Sequence, residues 1–201
     1  LERNILKMRK TIIGEAGVGW RPHTKAMKNP DLARLCLDAG AHGVTCAKLS
    51  EAEVMADGGI KDILVANEIV GAKKIARLVN LCKRADIMVC VDDKDNVEQI
   101  DRAARAAGVR PRVLIEVDVG MGRAGVQPGA ATVELASQIS RFESIRFAGL
   151  QTWESHTLKI TDEAEKKRQV LAALSQLNDT AERIRGAGMP VDILSCGGTG
   201  T

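Results

Sequence analysis

The sequence predicts an α/β fold, a closed (β/α)8 barrel of the TIM type with seven of its strands present. Three observations lead there. Short β-rich apolar runs alternate with amphipathic helical stretches along all 201 residues. The strand centres are continuously apolar, the pattern of parallel strands buried on both faces. Polar residues stand at the C-terminal ends of nearly every strand: Lys25, Cys46, Asn67, Asp92, Asp118, Trp153 and Ser195. A barrel gathers all of those ends at one mouth. The competing architecture, an open doubly wound sheet, gathers only those at its switch point.

Each element has its own signal. Leu1, Ile5, Met8 and Ile12 form one helical stripe, so the chain enters inside a helix. Residues 20–26 read as the first strand. Asn29 and Pro30 supply an N-cap and a first helical residue, for a helix that turns Leu32, Leu35, Cys36 and Ala39 inward and stops at Gly40. A second strand spans 43–47. Ser50 to Glu53 reads as a capping box, for a helix ending at Gly58 and Gly59. Residues 62–67 are the third strand, Ile75, Leu78, Val79 and Cys82 mark the next helix, and 87–91 are the fourth strand. Asp92 or Asp93 caps a helix carrying Val97, Ile100 and Ala104 inward, closed by Gly108. The fifth strand is 113–118, Pro128 opens a helix through Leu135 and Ile139, and 147–153 are the sixth strand. A long helix, 161–187, buries Val170, Leu171, Leu174, Leu177, Ala181 and Ile184, and 191–195 are the seventh strand. The eighth is expected beyond Thr201, so residues 1–201 read as one barrel domain incomplete at both ends.

Composition narrows the function. Hydrophobic content of 45% and charged content of 27% are those of a soluble globular protein. A formal charge of +3 with two Trp, two Phe and no Tyr leaves no interleaved aromatic and basic surface for nucleic acid. No apolar run has the length to span a membrane. Cys36, Cys46, Cys82, Cys90 and Cys196 lie in apolar runs without C-x-x-C spacing, as buried free thiols of a cytoplasmic protein do.

Three stretches carry chemistry. In Trp20 to Lys28, His23 and Lys25 stand where a strand should run. A lysine stripped of part of its hydration has a depressed pKa, and its neutral amine can form a Schiff base. The same residues also read as strand-edge side chains reaching for water. Gly197-Gly198-Thr199-Gly200-Thr201 offers free backbone N–H groups and hydroxyls, a phosphate cradle or a plain turn. Asp118 and Arg123 flank a glycine turn, where the arginine can bond an oxyanion or pair with Asp118. Beyond these, Trp153 offers a flat face and His156 an imidazole. His42 has no assigned role, and the three histidines give no close-spaced metal signature.

Four motifs stand in one order and spacing: Arg21-Pro22-His23-Thr24-Lys25, Ala47-Lys48-Leu49-Ser50-Glu51-Ala52-Glu53, Glu116-Val117-Asp118-Val119-Gly120-Met121-Gly122-Arg123 and Ser195-Cys196-Gly197-Gly198-Thr199-Gly200-Thr201. On them the chain resembles the pyridoxal-phosphate enzymes of the D-threonine aldolase and D-serine dehydratase family, which share the alanine-racemase-type barrel. The resemblance implies that Lys25 holds pyridoxal phosphate as a Schiff base, with His23 beside it and Lys28 a bystander. It implies that Arg123 contacts the cofactor's phenolic oxygen and that Ser195, Gly197, Gly198, Thr199 and Gly200 cradle its phosphate. Trp153 falls where many relatives carry a tyrosine beside the ring, and His156 follows it. The implied activity is a lyase reaction on β-hydroxy D-amino acids, with retro-aldol cleavage to glycine and an aldehyde. Dehydration of D-serine or 3-hydroxyaspartate, amino-acid racemisation, and a non-catalytic carrier of pyridoxal phosphate are the alternatives. Family members continue into a C-terminal β-domain that supplies a divalent metal, and they pair as homodimers.

Overall fold

The computed structural model describes residues 1–198 and 200–201. The chain forms two compact units, Leu1–Val89 and Cys90–Thr201.

In the first unit α1 (Glu2–Arg9) runs into a π-helical stretch, Lys10–Glu15. Ile5 is buried with Trp20, Cys36 and Ala41, and Met8, Ile12 and Ile13 pack on them. Leu1, expected in that stripe, is exposed. Helix α2 (Pro30–Asp38) starts as the sequence requires: Asn29 Oδ1 accepts the Asp31 N–H at 2.7 Å, and Pro30 stands where no N–H is needed. Its inward face is Ala33 and Cys36, whereas Leu35 is exposed.

Strand β1 (Val44–Cys46) pairs in parallel with β2 (Asp62–Glu68), Val44 opposite Ile63 and Cys46 opposite Val65. Helix α3 (Leu49–Asp57) begins before Ser50, so the expected capping box is not formed. Glu51 instead reaches back to the residue before the N-cap Lys48, accepting the Ala47 N–H at 2.9 Å, while Glu53 pairs with Arg77. Helix α4 (Ala72–Leu81) and β3 (Asp86–Val91) follow.

The expected first strand, 20–26, is not a strand. His23 alone bridges Thr45: the Thr45 N–H donates to the Pro22 carbonyl at 2.9 Å and the Thr24 N–H to the Thr45 carbonyl at 2.7 Å. The Thr24 carbonyl then accepts the Lys28 N–H at 2.8 Å, which curls the chain into a turn and ends the ladder. Six strands are therefore present among the described residues, and the α/β class stands.

The second unit contains α5 (Lys94–Ala107), β4 (Arg112–Glu116), α6 (Ala130–Ile139), β5 (Arg146–Gln151), α7 (Glu163–Gly186) and β6 (Ile193–Ser195). Asp93 caps α5 through the Asn96 N–H, and Asp162 caps α7 through the Glu165 N–H. Helix α6 opens after Gly129, whose N–H donates to Thr180 Oγ1, and not at Pro128. The inward face of α7 is Ala173, Leu177, Thr180, Ala181 and Ile184; Leu171, expected there, is 57% exposed, and Val170 and Leu174 are half-buried. Strands β4, β5 and β6 pair in parallel in chain order, and Leu114, Ile115 and Leu150 are fully buried. Of the five cysteines, Cys82 is half-buried and Cys196 exposed, so the expectation of five buried thiols holds only for Cys36, Cys46 and Cys90. Among the described residues no helix is long and apolar enough to cross a membrane.

The close approach of β6 to β5 depends on Gly149. Its φ is +146°, and a Cβ built there lies 2.0 Å from the Ile193 carbonyl oxygen. Gly149→Ala is therefore expected to lower stability by about 3 kcal/mol. Gly59→Ala, at φ +88° with nothing nearby, is expected to cost only about 1–2 kcal/mol of backbone strain. Urea unfolding of both variants measures the difference; equal losses would contradict the close-approach argument.

Candidate active site

The candidate residues divide between the two units. His23 and Lys25 belong to the first; Arg123, Trp153, His156, Ser195, Gly197, Gly198 and Gly200 belong to the second. Thr199 lies outside the described residues.

Lys25 occupies the turn that follows the His23 bridge and is exposed, not set in a strand. Thr24, fully buried, anchors the turn by donating both its N–H and its Oγ1 hydroxyl to the Thr45 carbonyl, at 2.7 and 3.1 Å. The Lys25 N–H donates to His23 Nδ1 at 3.2 Å, so that nitrogen acts as an acceptor and the ring is neutral in this arrangement. Burial, and after it the Lys25 charge, hold the His23 imidazole below its ordinary value, against the opposing pull of Glu51 and a hydrogen bond to the Thr45 backbone. Cys46, beneath the turn, has its thiol pushed up to about 11, chiefly by burial. It is no thiolate nucleophile at neutral pH.

In the second unit, the ends of the strands are tied across the sheet. The Val117 N–H donates to the Gln151 carbonyl at 2.8 Å and the Thr152 N–H to the Ser195 carbonyl at 2.9 Å. The Thr152 hydroxyl donates to the Val117 carbonyl at 2.7 Å. Trp153 leaves β5 from this fixed point. Arg123 Cζ stacks over its ring, 5.4 Å from the centroid. On the loop after β6, a Cβ at Gly198 would lie 3.0 Å from the Trp153 indole nitrogen. Arg123, Trp153 and Gly198 are thus brought together.

The turn that presents Arg123 is held by Asp118. Its Oδ1 accepts the N–H groups of Gly120 and Gly122, at 3.0 and 2.9 Å. Burial pushes this acid up, but the N–H groups of Gly122, Gly120 and Met121 and the nearby His156 outweigh it, and Asp118 titrates below the ordinary carboxylate range. The turn is thus organised by main-chain amides received by Asp118. His156 packs its ring on Gly120, where a Cβ would lie 3.2 Å away, and its Nδ1 is buried without a hydrogen-bond partner.

Three residues to which the sequence reading gave no role stand near the candidate residues of their own units. Glu154 is 1% exposed, and its Oε2 accepts the Gly197 N–H at 3.3 Å, so the loop turns a main-chain amide toward a carboxyl oxygen. Gln151 is buried with Oε1 unpartnered. Glu51 lies beneath the Lys25 turn. The signal for Glu154 was its place between Trp153 and His156; Gln151 gave none, being one polar residue at a strand end among several. Among the described residues no cluster of three or more His, Cys, Asp or Glu could hold a metal.

Comparison with known proteins sharpens the picture. The profile of the family described as "Alanine racemase, N-terminal domain" matches residues 1–201. The chain is 39% identical to a D-threonine aldolase of an Arthrobacter species, over 92% of this chain and 48% of that protein. It is 36% identical to a 3-hydroxy-D-aspartate aldolase of Paracoccus denitrificans, over 100% of this chain and 52% of that protein. A crystal structure of D-threonine aldolase from Filomicrobium marinum superimposes with a TM-score of 0.96 at 37% identity, covering 99% of this chain and 54% of that one. The chain spans about half the length of the curated relatives it matches.

The neutral His23 sets a pH dependence. Its folded pKa lies below the ordinary 6.5, so below that pH the unfolded chain binds more protons. The stabilisation is full above about pH 6.5 and falls as acid is added, down through the lowered folded pKa. Urea midpoints between about pH 7.5 and pH 5 should decline less steeply in His23→Gln than in the unaltered protein. Parallel declines would show that His23 is not held neutral.

Proposed function

This chain belongs to the alanine racemase N-terminal domain family, and from that membership we propose that it is the cofactor-binding part of a pyridoxal-phosphate lyase. The substrates are β-hydroxy D-amino acids, cleaved between Cα and Cβ to glycine and an aldehyde. The observation that carries the reading is the meeting of Arg123, Trp153 and Gly198, a fixed cation and a flat ring against bare backbone. The same unit has an unpartnered buried nitrogen on His156 and a main-chain amide, that of Gly197, turned to a carboxyl oxygen. These features fit a flat, phosphorylated, anionic cofactor, and the aldolases at 36–39% identity favour this reaction over the other lyase and racemase chemistries.

The cofactor, when bound, supplies an electron sink for the bond broken at the substrate's α-carbon. The chain supplies the rest. Lys25 offers its primary amine from a turn anchored on Thr45. Arg123 keeps a positive charge beside the ring position and biases the phenolic oxygen there. Trp153 shields one side from water, and Ser195, Gly197, Gly198 and Gly200, with Thr199, hold the phosphate through hydroxyls and main-chain N–H groups. His156 Nδ1 provides a polar contact to the bound cofactor or substrate. A divalent metal, if used, is held outside this chain, in a C-terminal domain. We place the full-length protein in the cytoplasm as a homodimer, in line with three buried free thiols.

The test is borohydride treatment of the full-length protein with pyridoxal phosphate, followed by peptide mapping. Lys25 Nζ condenses with the aldehyde carbon with loss of water, and borohydride then delivers hydride to that carbon while solvent supplies the proton to nitrogen, leaving a stable secondary-amine label on Lys25. D-Threonine should yield glycine and acetaldehyde, and Lys25→Ala should turn over below about 10⁻³ of the unaltered rate. A 2-oxo acid and ammonia from D-serine would assign a dehydratase instead. Label on Lys28 or Lys48, or none, would sink the mechanism.

A further inference from the structure

Four contacts enclose the turn that bears Lys25. Three have been described: Thr24 bonded to the Thr45 carbonyl, the Lys25 N–H on His23 Nδ1, and the Lys28 N–H on the Thr24 carbonyl. The fourth is an ion pair. Lys28 Nζ lies 3.6 Å from Glu51 Oε1, whose side chain is 9% exposed. Glu51 comes from the first turn of α3, and its other oxygen accepts the Ala47 N–H at 2.9 Å.

Two features mark this pair. A carboxylate as buried as Glu51 needs cationic or hydrogen-bonding partners to remain charged, and Lys28 is the cation supplied to it. Lys28 is also the one non-glycine residue with a positive φ among the described residues, at +43°. Glycine or asparagine would take that backbone at less cost, so a lysine there indicates that its side chain is needed. Lys28 stands three residues after Lys25 and directly before the N-cap Asn29 of α2. Its contact with Glu51 therefore fixes the outgoing end of the turn on α3, while His23 and Thr24 fix the incoming end.

We propose that Lys28 and Glu51 are positioning residues for the Lys25 amine, closing its turn onto α3 so that Nζ is presented in one place. The proposal rests on the reading of Lys25 as the cofactor-binding lysine, and it replaces the expectation that Lys28 is a bystander. An amine displaced by an ångström from its reacting partner loses rate steeply. Lys28 and Glu51 touch neither cofactor nor substrate; they act through the turn.

Two measurements on the full-length protein test this. In the cofactor-free state, hydrogen exchange of the 21–30 segment should be faster in Lys28→Met and Glu51→Gln than in the unaltered protein. Lys28→Arg should restore protection. The rate at which pyridoxal phosphate becomes borohydride-fixed on Lys25 should fall about tenfold or more in Lys28→Met, Glu51→Gln and Lys28→Gly, and stay within about twofold in Lys28→Arg. Lys28→Gly separates the side chain from the backbone: it relieves the positive φ yet loses the pair. The Lys28→Met/Glu51→Gln double variant should be no slower than either single one, as for two residues acting through one contact. Unchanged exchange and labelling in Lys28→Met, which removes only an exposed ammonium, overturn the proposal, as does a Lys28→Gly variant that labels at the unaltered rate. If the unaltered protein takes no label at Lys25, the cofactor reading fails instead, and exchange alone then decides whether the clamp exists.

Discussion

Two buried threonines, one in each unit, hold the candidate residues to their own scaffolds. Thr24, 0% exposed, gives both its donors to the Thr45 carbonyl; Thr152, 1% exposed, gives one to Ser195 and one to Val117. A buried hydroxyl deprived of its partner costs about 1–3 kcal/mol, so each threonine can be satisfied only with its neighbours in register. Lys25 follows the first threonine and Trp153 the second. In each unit, the side chain expected to meet the cofactor is the residue immediately after a locked one. The rigidity comes from main-chain acceptors, which do not vary with the identity of the side chains around them.

Electrostatics differs between the two units in the same way. Around Lys25, burial keeps His23 neutral and Cys46 protonated, and the formal charges are those of the lysines and Glu51. In the second unit the main-chain N–H groups of Gly120 and Gly122 hold Asp118 as an anion and shape the turn that carries Arg123. The glycines there have a geometric purpose: at Gly120 a Cβ would meet the His156 ring, and at Gly198 the Trp153 indole. One fixed cation, one aromatic face and a stretch of bare backbone suit an anionic planar ligand better than a neutral or cationic one.

The misreadings of local structure share a cause. Residues 20–26 have the composition of a strand, yet Thr24 turns its carbonyl to Lys28 and the ladder stops after one bridge. Ser50 and Glu53 have the spacing of a capping box, yet α3 starts earlier and Glu51 takes the free amide, which releases Glu53 to Arg77. Leu35 and Leu171 sit in apolar stripes and face solvent, because smaller residues, Ala33 and Ala173, are the ones packed inward. In each case a competing partner elsewhere in the chain decided between two local choices of similar energy.

By itself the sequence determined the α/β class, the helix cap at Asn29, a cap at Asp92 or Asp93, and a set of candidate residues: Lys25, Arg123, Trp153 and the glycine loop. These follow from short-range rules of period, capping and side-chain reactivity, which one dimension records. The tertiary structure alone decided that Lys25 stands on a clamped turn, that Arg123 lies on Trp153, that Glu154 faces Gly197, and that Lys28 reaches Glu51. Those are contacts between residues tens of positions apart, or between a side chain and a backbone whose direction depends on the turn before it. No pattern of spacing encodes them, because they come into being only when the strands are in register.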